Sequence, residues 1–83
     1  MAYRIVYKSS TYHDLKQLDR GVADRVLREV HEVLSKDPGA GEALKDEFKG
    51  LYKLRVGDHR VIYARAGDTV LILRIRHRGR AYS

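Results

Sequence analysis

Cysteine and tryptophan are absent from this 83-residue sequence, and proline, methionine and phenylalanine occur once each. Without cysteine, neither a disulfide framework nor a thiolate metal site can staple the fold. Long hydrophobic runs are missing too. The longest wholly aliphatic stretch is Val70-Leu71-Ile72-Leu73, far below the roughly 20 apolar residues of a membrane-spanning helix. The opening MAYRIVYKSS carries charge too early and too often for a signal peptide. These absences predict a soluble cytoplasmic protein with no membrane partner.

The length predicts one domain over residues 1–83 with one core. A chain of this size buries only about 60% of the surface its unfolded form exposes, so a tight partner is expected on physical grounds. Negative charge is scarce: 11 Asp and Glu face 17 Lys and Arg, a net +6. That surplus favours phosphate-rich or acidic partners and says nothing about fold.

Tyr3 to Tyr7 is β-branched and aromatic and predicts a first strand. Ser9, Ser10 and Thr11 are each able to cap a helix, on which Tyr12, Leu15 and Leu18 repeat at helical spacing. Arg20-Gly21 interrupts that pattern. From Val22, the set Val22, Val26, Leu27, Val30, Val33 and Leu34 marks one face of a second helix, stopped by Asp37-Pro38-Gly39-Ala40-Gly41. After a polar loop from Glu42 to Gly50 the period switches to two. Tyr52, Leu54 and Val56 alternate with Lys53 and Arg55, and Gly57-Asp58 and Gly67-Asp68 signal two hairpin turns. The expectation is an α+β domain of order β-α-α-β-β-β, its helical hairpin covering one face of a small, mostly antiparallel four-stranded sheet. There is no internal repeat or linker.

Residues two apart on a strand share a face. Tyr52, Leu54, Val56, Val61 and Tyr63 are assigned to the core, as are Leu71, Leu73 and Ile75 in the last strand. Lys53, Arg55, Arg60, Arg74, Arg76 and Arg78 then fall on the open face, without a carboxylate among them. A face made only for solubility would mix signs, because like charges repel at close range. A one-signed face collects polyanions, and arginine suits bidentate phosphate contact. His13 and His31 lie on helices and are expected to be structural or to face solvent.

Leu51-Tyr52-Lys53-Leu54-Arg55-Val56-Gly57-Asp58-His59-Arg60-Val61-Ile62-Tyr63 resembles the central hairpin of RelE-type toxins of bacterial and archaeal toxin–antitoxin pairs. His77-Arg78-Gly79-Arg80-Ala81-Tyr82 is similar to the C-terminal motif of the same family, especially its archaeal members. The resemblance implies a toxin that enters the ribosomal A site and cuts messenger RNA with neither metal nor cofactor, leaving a 2′,3′-cyclic phosphate. By resemblance, Lys53 and Arg55 are basic residues of the site and Arg60 contacts the scissile phosphate. Arg78 stabilises developing charge or helps the leaving oxygen depart, and Tyr82 orients or deprotonates the 2′-OH and stacks on a base. Arg74, Arg76, Arg80 and His77 are the expected RNA- and ribosome-binding residues. The Arg78–Tyr82 spacing is shorter than in the best-known bacterial toxins, which keeps Arg76 open for the role of Arg78. A RelB-like antitoxin, acidic and partly disordered, is the implied second partner. The alternatives are a ParE-like inhibitor of DNA gyrase, which shares the hairpin but cuts nothing, and a non-catalytic nucleic-acid-binding relative.

Overall fold

A computed structural model describes residues 2–77. The elements run β1 (Arg4–Tyr7), α1 (Ser9–Lys16), α2 (Arg20–Leu34), β2 (Glu42–Ala43), a 3₁₀ turn (Asp46–Phe48), β3 (Leu51–Val56), β4 (His59–Ala66) and β5 (Thr69–His77). They build a five-stranded sheet in the order β1-β5-β4-β3-β2. Strand β1 runs parallel to β5, and the remaining pairs are antiparallel. The expected α+β class and helical hairpin are present.

The sheet has one strand more than expected. Glu42 pairs with Lys53 and Ala43 with Tyr52, making β2 inside the segment read as a polar loop. Two residues are too few to carry an alternating pattern, and only pairing with β3 defines them as a strand. The β3–β4 and β4–β5 turns fall where the Gly-Asp pairs predict. Gly57 and Gly67 hold φ of 59° and 61°, while neither Asp58 nor Asp68 is left-handed. Positive φ at the first central residue alone is the pattern of a II′ hairpin turn.

Two helical details differ from expectation. Helix α2 starts at Arg20 with Gly21 in its first turn, so this pair begins the helix instead of separating the two. No side chain caps α1. Its Ser10 and Thr11 hydroxyls donate to the β5 carbonyls of Leu73 and Ile72 at 2.7 and 2.8 Å. The reason is an open edge: β1 pairs β5 only as far as Ile72. Beyond it, α1 lies along β5: the Ser10 hydroxyl serves the Leu73 carbonyl, and the Thr11 hydroxyl adds a second donor to the Ile72 carbonyl, which also accepts the Lys8 N–H at 2.9 Å.

Val26, Val30 and Leu34 of α2 meet Val56, Val61, Tyr63, Val70, Ile72 and Ile75 of the sheet to form the core. The β5 contribution corrects the sequence reading. Tyr63 pairs with Ile72 but Ile62 pairs with Arg74, leaving Leu73 as the extra residue of a β-bulge. A bulge breaks strict alternation. Val70 and Ile72 face the core before it and Ile75 after it, so of Leu71, Leu73 and Ile75 only Ile75 is a core residue.

Tyr63 also ties the sheet to the segment after α2. Its buried hydroxyl donates to the Pro38 carbonyl (2.8 Å) and accepts the Gly41 N–H (3.0 Å), and its ring stacks on Tyr52 at 5.4 Å. A Cβ at residue 41 would meet that hydroxyl and come within 2.8 Å of the Lys53 carbonyl. Glycine is required there for close approach, and this approach seats β2 beside β3.

Candidate nucleic-acid interface

The register of the sheet sets the geometry of its open face. Arg55 lies opposite Arg60, and Arg60 opposite Arg76, so three arginines from β3, β4 and β5 form one row. Adjacent strands are about 4.8 Å apart, which gives a row of about 10 Å between backbones. The next row is Lys53, Ile62 and Arg74. Like charges directly opposite one another oppose folding. A row of three arginines is therefore a cost to stability, and such a cost points to a role outside the fold.

Lys53, Arg55, His59 and Arg60 line a cleft of about 290 Å³ at the β3–β4 end of this row. Glu42 and Asp58 share the cleft, and the Glu42 carboxylate lies 3.9 Å from the Lys53 ammonium. Arg55 is exposed and its Nε donates to the Gly57 carbonyl at 3.3 Å. Glu42 was not singled out from the sequence, because only β2 pairing brings it opposite Lys53. Among the described residues, the cleft therefore carries two carboxylates, Glu42 and Asp58, beside its cations.

Arg74 departs from the expected role. Its guanidinium donates to both Asp14 oxygens, Nε at 2.9 Å and Nη2 at 3.0 Å. Asp14 also accepts the Ile75 N–H at 2.9 Å. Burial pushes the Asp14 pKa up, but the hydrogen bonds from Arg74 and Ile75, with the Arg74 and Arg76 charges, outweigh it and hold the carboxyl below its ordinary value. Arg74 is thus ion-paired to α1 while still lining the open-face groove beside Lys53, Arg60 and Arg76.

His77 lies opposite His59, their rings edge to face at 5.2 Å. The pair lines a pocket on the helix side with Leu18, Val22 and Ile75, which Arg76 also borders, and His59 reaches the cleft beside Arg55 and Arg60 as well. Burial and the neighbouring His77 lower the His59 pKa, with Asp58 opposing them. His13 and His31 are exposed. Among the described residues no group of three or more His, Cys, Asp or Glu is arranged to hold a metal ion. Arg78, Arg80 and Tyr82 lie outside the described residues.

Beside the arginine row the face turns apolar. Leu71 and Leu73, moved out of the core by the bulge, join Leu51 and Ile62, and Leu44 and Phe48 reach over from the segment before β3. Sequence reasoning missed this half, because Leu71 and Leu73 were assigned to the core and Phe48 to a polar loop.

The family model of the ParE toxin of type II toxin–antitoxin systems matches residues 5–82. The chain belongs to the RelE/ParE toxin superfamily. Among solved structures it is similar to a chain of the RelBE2 toxin–antitoxin complex of Mycobacterium tuberculosis, with 28% identity and a TM-score of 0.89 over 94% of this chain and 93% of that one. It is likewise similar to the archaeal RelE–RelB complex of Pyrococcus horikoshii, with 31% identity and a TM-score of 0.74 over 98% and 100%. Isolated Escherichia coli RelE shares the fold, with a TM-score of 0.75 at 17% identity over 98% and 89%. No curated protein matches the sequence. The matching family model thus carries the ParE name, while the solved structures named above carry RelE or RelBE names. No helix among the described residues is long and apolar enough to cross a membrane.

Proposed function

We propose that this toxin is a ribosome-dependent endoribonuclease that binds messenger RNA along the Arg55–Arg60–Arg76 row and cleaves it in the A site, in the cytoplasm. The observation that carries this reading is the alignment of the three arginines by strand register, with Lys53 alongside. Guanidinium groups held at fixed spacing match the repeating charge of an RNA backbone.

In the reaction, the ribose 2′-oxygen forms a bond to the adjacent phosphorus while the bond to the 5′-oxygen breaks. Tyr82 takes the 2′-OH proton and the leaving 5′-oxygen gains one, giving a 2′,3′-cyclic phosphate. Arg60 stabilises the charge gathering on the non-bridging oxygens, with Arg78 or Arg76 at the leaving side and Lys53 and Arg55 holding the strand. Each preorganised donor of this kind is worth about 10² to 10³ in rate. Tyrosine is a weak base with a pKa of about 10, and surrounding cations stabilise its phenolate. The ribosome supplies the in-line geometry. Arg80 contributes charge to the same RNA contact.

The test is addition of the purified toxin to ribosomes programmed with messenger RNA. A-site cuts bearing cyclic phosphate ends support the reading, and intact message on ribosomes that have bound the toxin sinks it. Tyr82→Phe and Arg78→Ala should each remove cleavage; if both retain it, the site is misassigned.

The proposed second partner is a RelB-like antitoxin, since solved relatives are toxin–antitoxin complexes. An acidic, partly disordered chain that folds on the toxin would neutralise its cations. A competing reading, inhibition of DNA gyrase without nuclease activity, is favoured by the description of the matching family model. Gyrase-dependent DNA breaks in place of A-site cuts would establish it.

A further inference from the structure

Phosphate binding accounts for the cations of the open face but not for the apolar side chains beside them. Phe48, Leu44 and Ile62 line a groove of about 310 Å³ together with Lys53, Arg60, Arg74 and Arg76. Among the described residues, no carboxylate lines this groove. A nucleotide has the same division: an apolar planar base joined through its sugar to an anionic phosphate. Sites for such ligands pair apolar walls with a few charged groups that fix orientation.

Phe48 is the chain's one phenylalanine, and it is 53% exposed. Its backbone holds it there. The turn that ends at Phe48 begins with Asp46 at φ 58°, a left-handed conformation on a residue that is not glycine, and Gly50 follows at φ 96°. Left-handed backbone is uncommon outside glycine and gathers at ligand-binding segments, where surrounding structure maintains it. An aromatic ring kept out of the core by such a turn, at the edge of a basic groove, is available for stacking.

We propose that Phe48 is a base-stacking residue: a nucleobase next to the phosphate held by Arg60 lies in this groove against the Phe48 ring. The proposal rests on the RNA-binding reading above and adds to it where one base is held. Stacking on an aromatic ring tolerates every base, because each has a π face, so Phe48 contributes affinity and position rather than codon choice. Aromatic stacking of splayed bases is the common way single-stranded RNA is held.

The test uses the full chain and a fluorescein-labelled single-stranded RNA of about eight nucleotides, with a series carrying one abasic nucleotide at each position in turn. The wild-type protein should lose about 5- to 150-fold in affinity for the oligomer abasic at one position, the range corresponding to base–aromatic stacking. Phe48→Ala should lose a similar factor on intact RNA and nothing further on that abasic oligomer, and Phe48→Trp should restore binding. This coupling isolates the ring–base contact from any effect on the loop. Equal loss on the intact and all abasic oligomers overturns the proposal. So does unchanged RNA affinity with weakened binding of an acidic amphipathic peptide, which would assign the groove to a protein partner. If wild-type protein binds RNA and Arg60→Ala loses it while Phe48→Ala does not, the stacking role fails and the RNA-binding reading stands. If wild-type protein binds no RNA, the stacking proposal fails, and the A-site cleavage assay decides the reading above by itself.

Discussion

Asp14 on α1 holds Arg74 of β5 through two hydrogen bonds of 2.9 and 3.0 Å, and the same carboxylate takes the backbone N–H of Ile75. One side chain therefore closes the open edge of β5, fixes the strand beyond its bulge and pairs an arginine of the open face. The Asp14 side chain is 8% exposed and that of Arg74 38%, so the carboxylate is buried while the guanidinium reaches the surface.

Asp14→Ala leaves the Arg74 guanidinium and the Ile75 N–H without their acceptor. Removing one partner of a buried bond costs about 1 to 3 kcal/mol. A lower urea midpoint with an unchanged slope is expected, and a midpoint equal to wild type would contradict this role.

The pH dependence follows from the sign of the Asp14 shift. A carboxyl held below its unfolded value, near 3.9 for Asp, contributes stability that is complete above that pH and is lost as pH falls through the folded value. Urea midpoints measured from pH 6 down to 2 should drop in this acid window. Asp14→Asn should flatten that part of the profile; an equally steep profile in the variant would assign the drop to other carboxyls.

The bulge at Leu73 makes a prediction that separates the two faces of β5. Ile72→Ala removes a fully buried side chain and should cost about 2 to 5 kcal/mol. Leu71→Ala, on the open face, should cost clearly less. Thermal unfolding of the two variants measures the difference, and the reverse order would restore the unbroken alternation read from the sequence.

Tyr63→Phe deletes the hydroxyl that joins Pro38 and Gly41 and should destabilise by about 1 to 3 kcal/mol. Gly41→Ala forces a methyl group against that hydroxyl and the Lys53 carbonyl. Overpacking of this kind also costs about 1 to 3 kcal/mol. Because Lys53 belongs to the proposed RNA site, Gly41→Ala should weaken RNA binding as well. Denaturation and RNA titration on both variants check this: RNA affinity unchanged in folded Gly41→Ala would separate β2 seating from the site.

Arg55 stands opposite Arg60 in the arginine row. Arg55→Gln relieves like-charge repulsion, so the urea midpoint should hold or rise while RNA affinity falls. The slope of log affinity against log salt should shrink by about 0.7 if one phosphate contact to single-stranded RNA is lost. A variant that binds RNA with the wild-type slope would remove Arg55 from the interface.

Local pattern in the sequence determined much of this protein. Alternation from Tyr52 to Val56 turned Lys53 and Arg55 outward, the Gly57-Asp58 and Gly67-Asp68 pairs located both hairpins, and the spacing of Val26, Val30 and Leu34 marked the buried stripe of α2. These signals are legible because side-chain direction and turn geometry depend on a few neighbouring residues. The tertiary structure alone decided hydrogen-bond register across strands far apart in the chain. That register aligned Arg55, Arg60 and Arg76, made β2 from two residues and placed the extra residue at Leu73. It also brought Asp14 to Arg74, sixty positions away. A bulge shifts every later side chain on its strand, and it is defined by the pairing of β4 with β5. Asp14 meets that strand from α1, and no short stretch of sequence contains both partners.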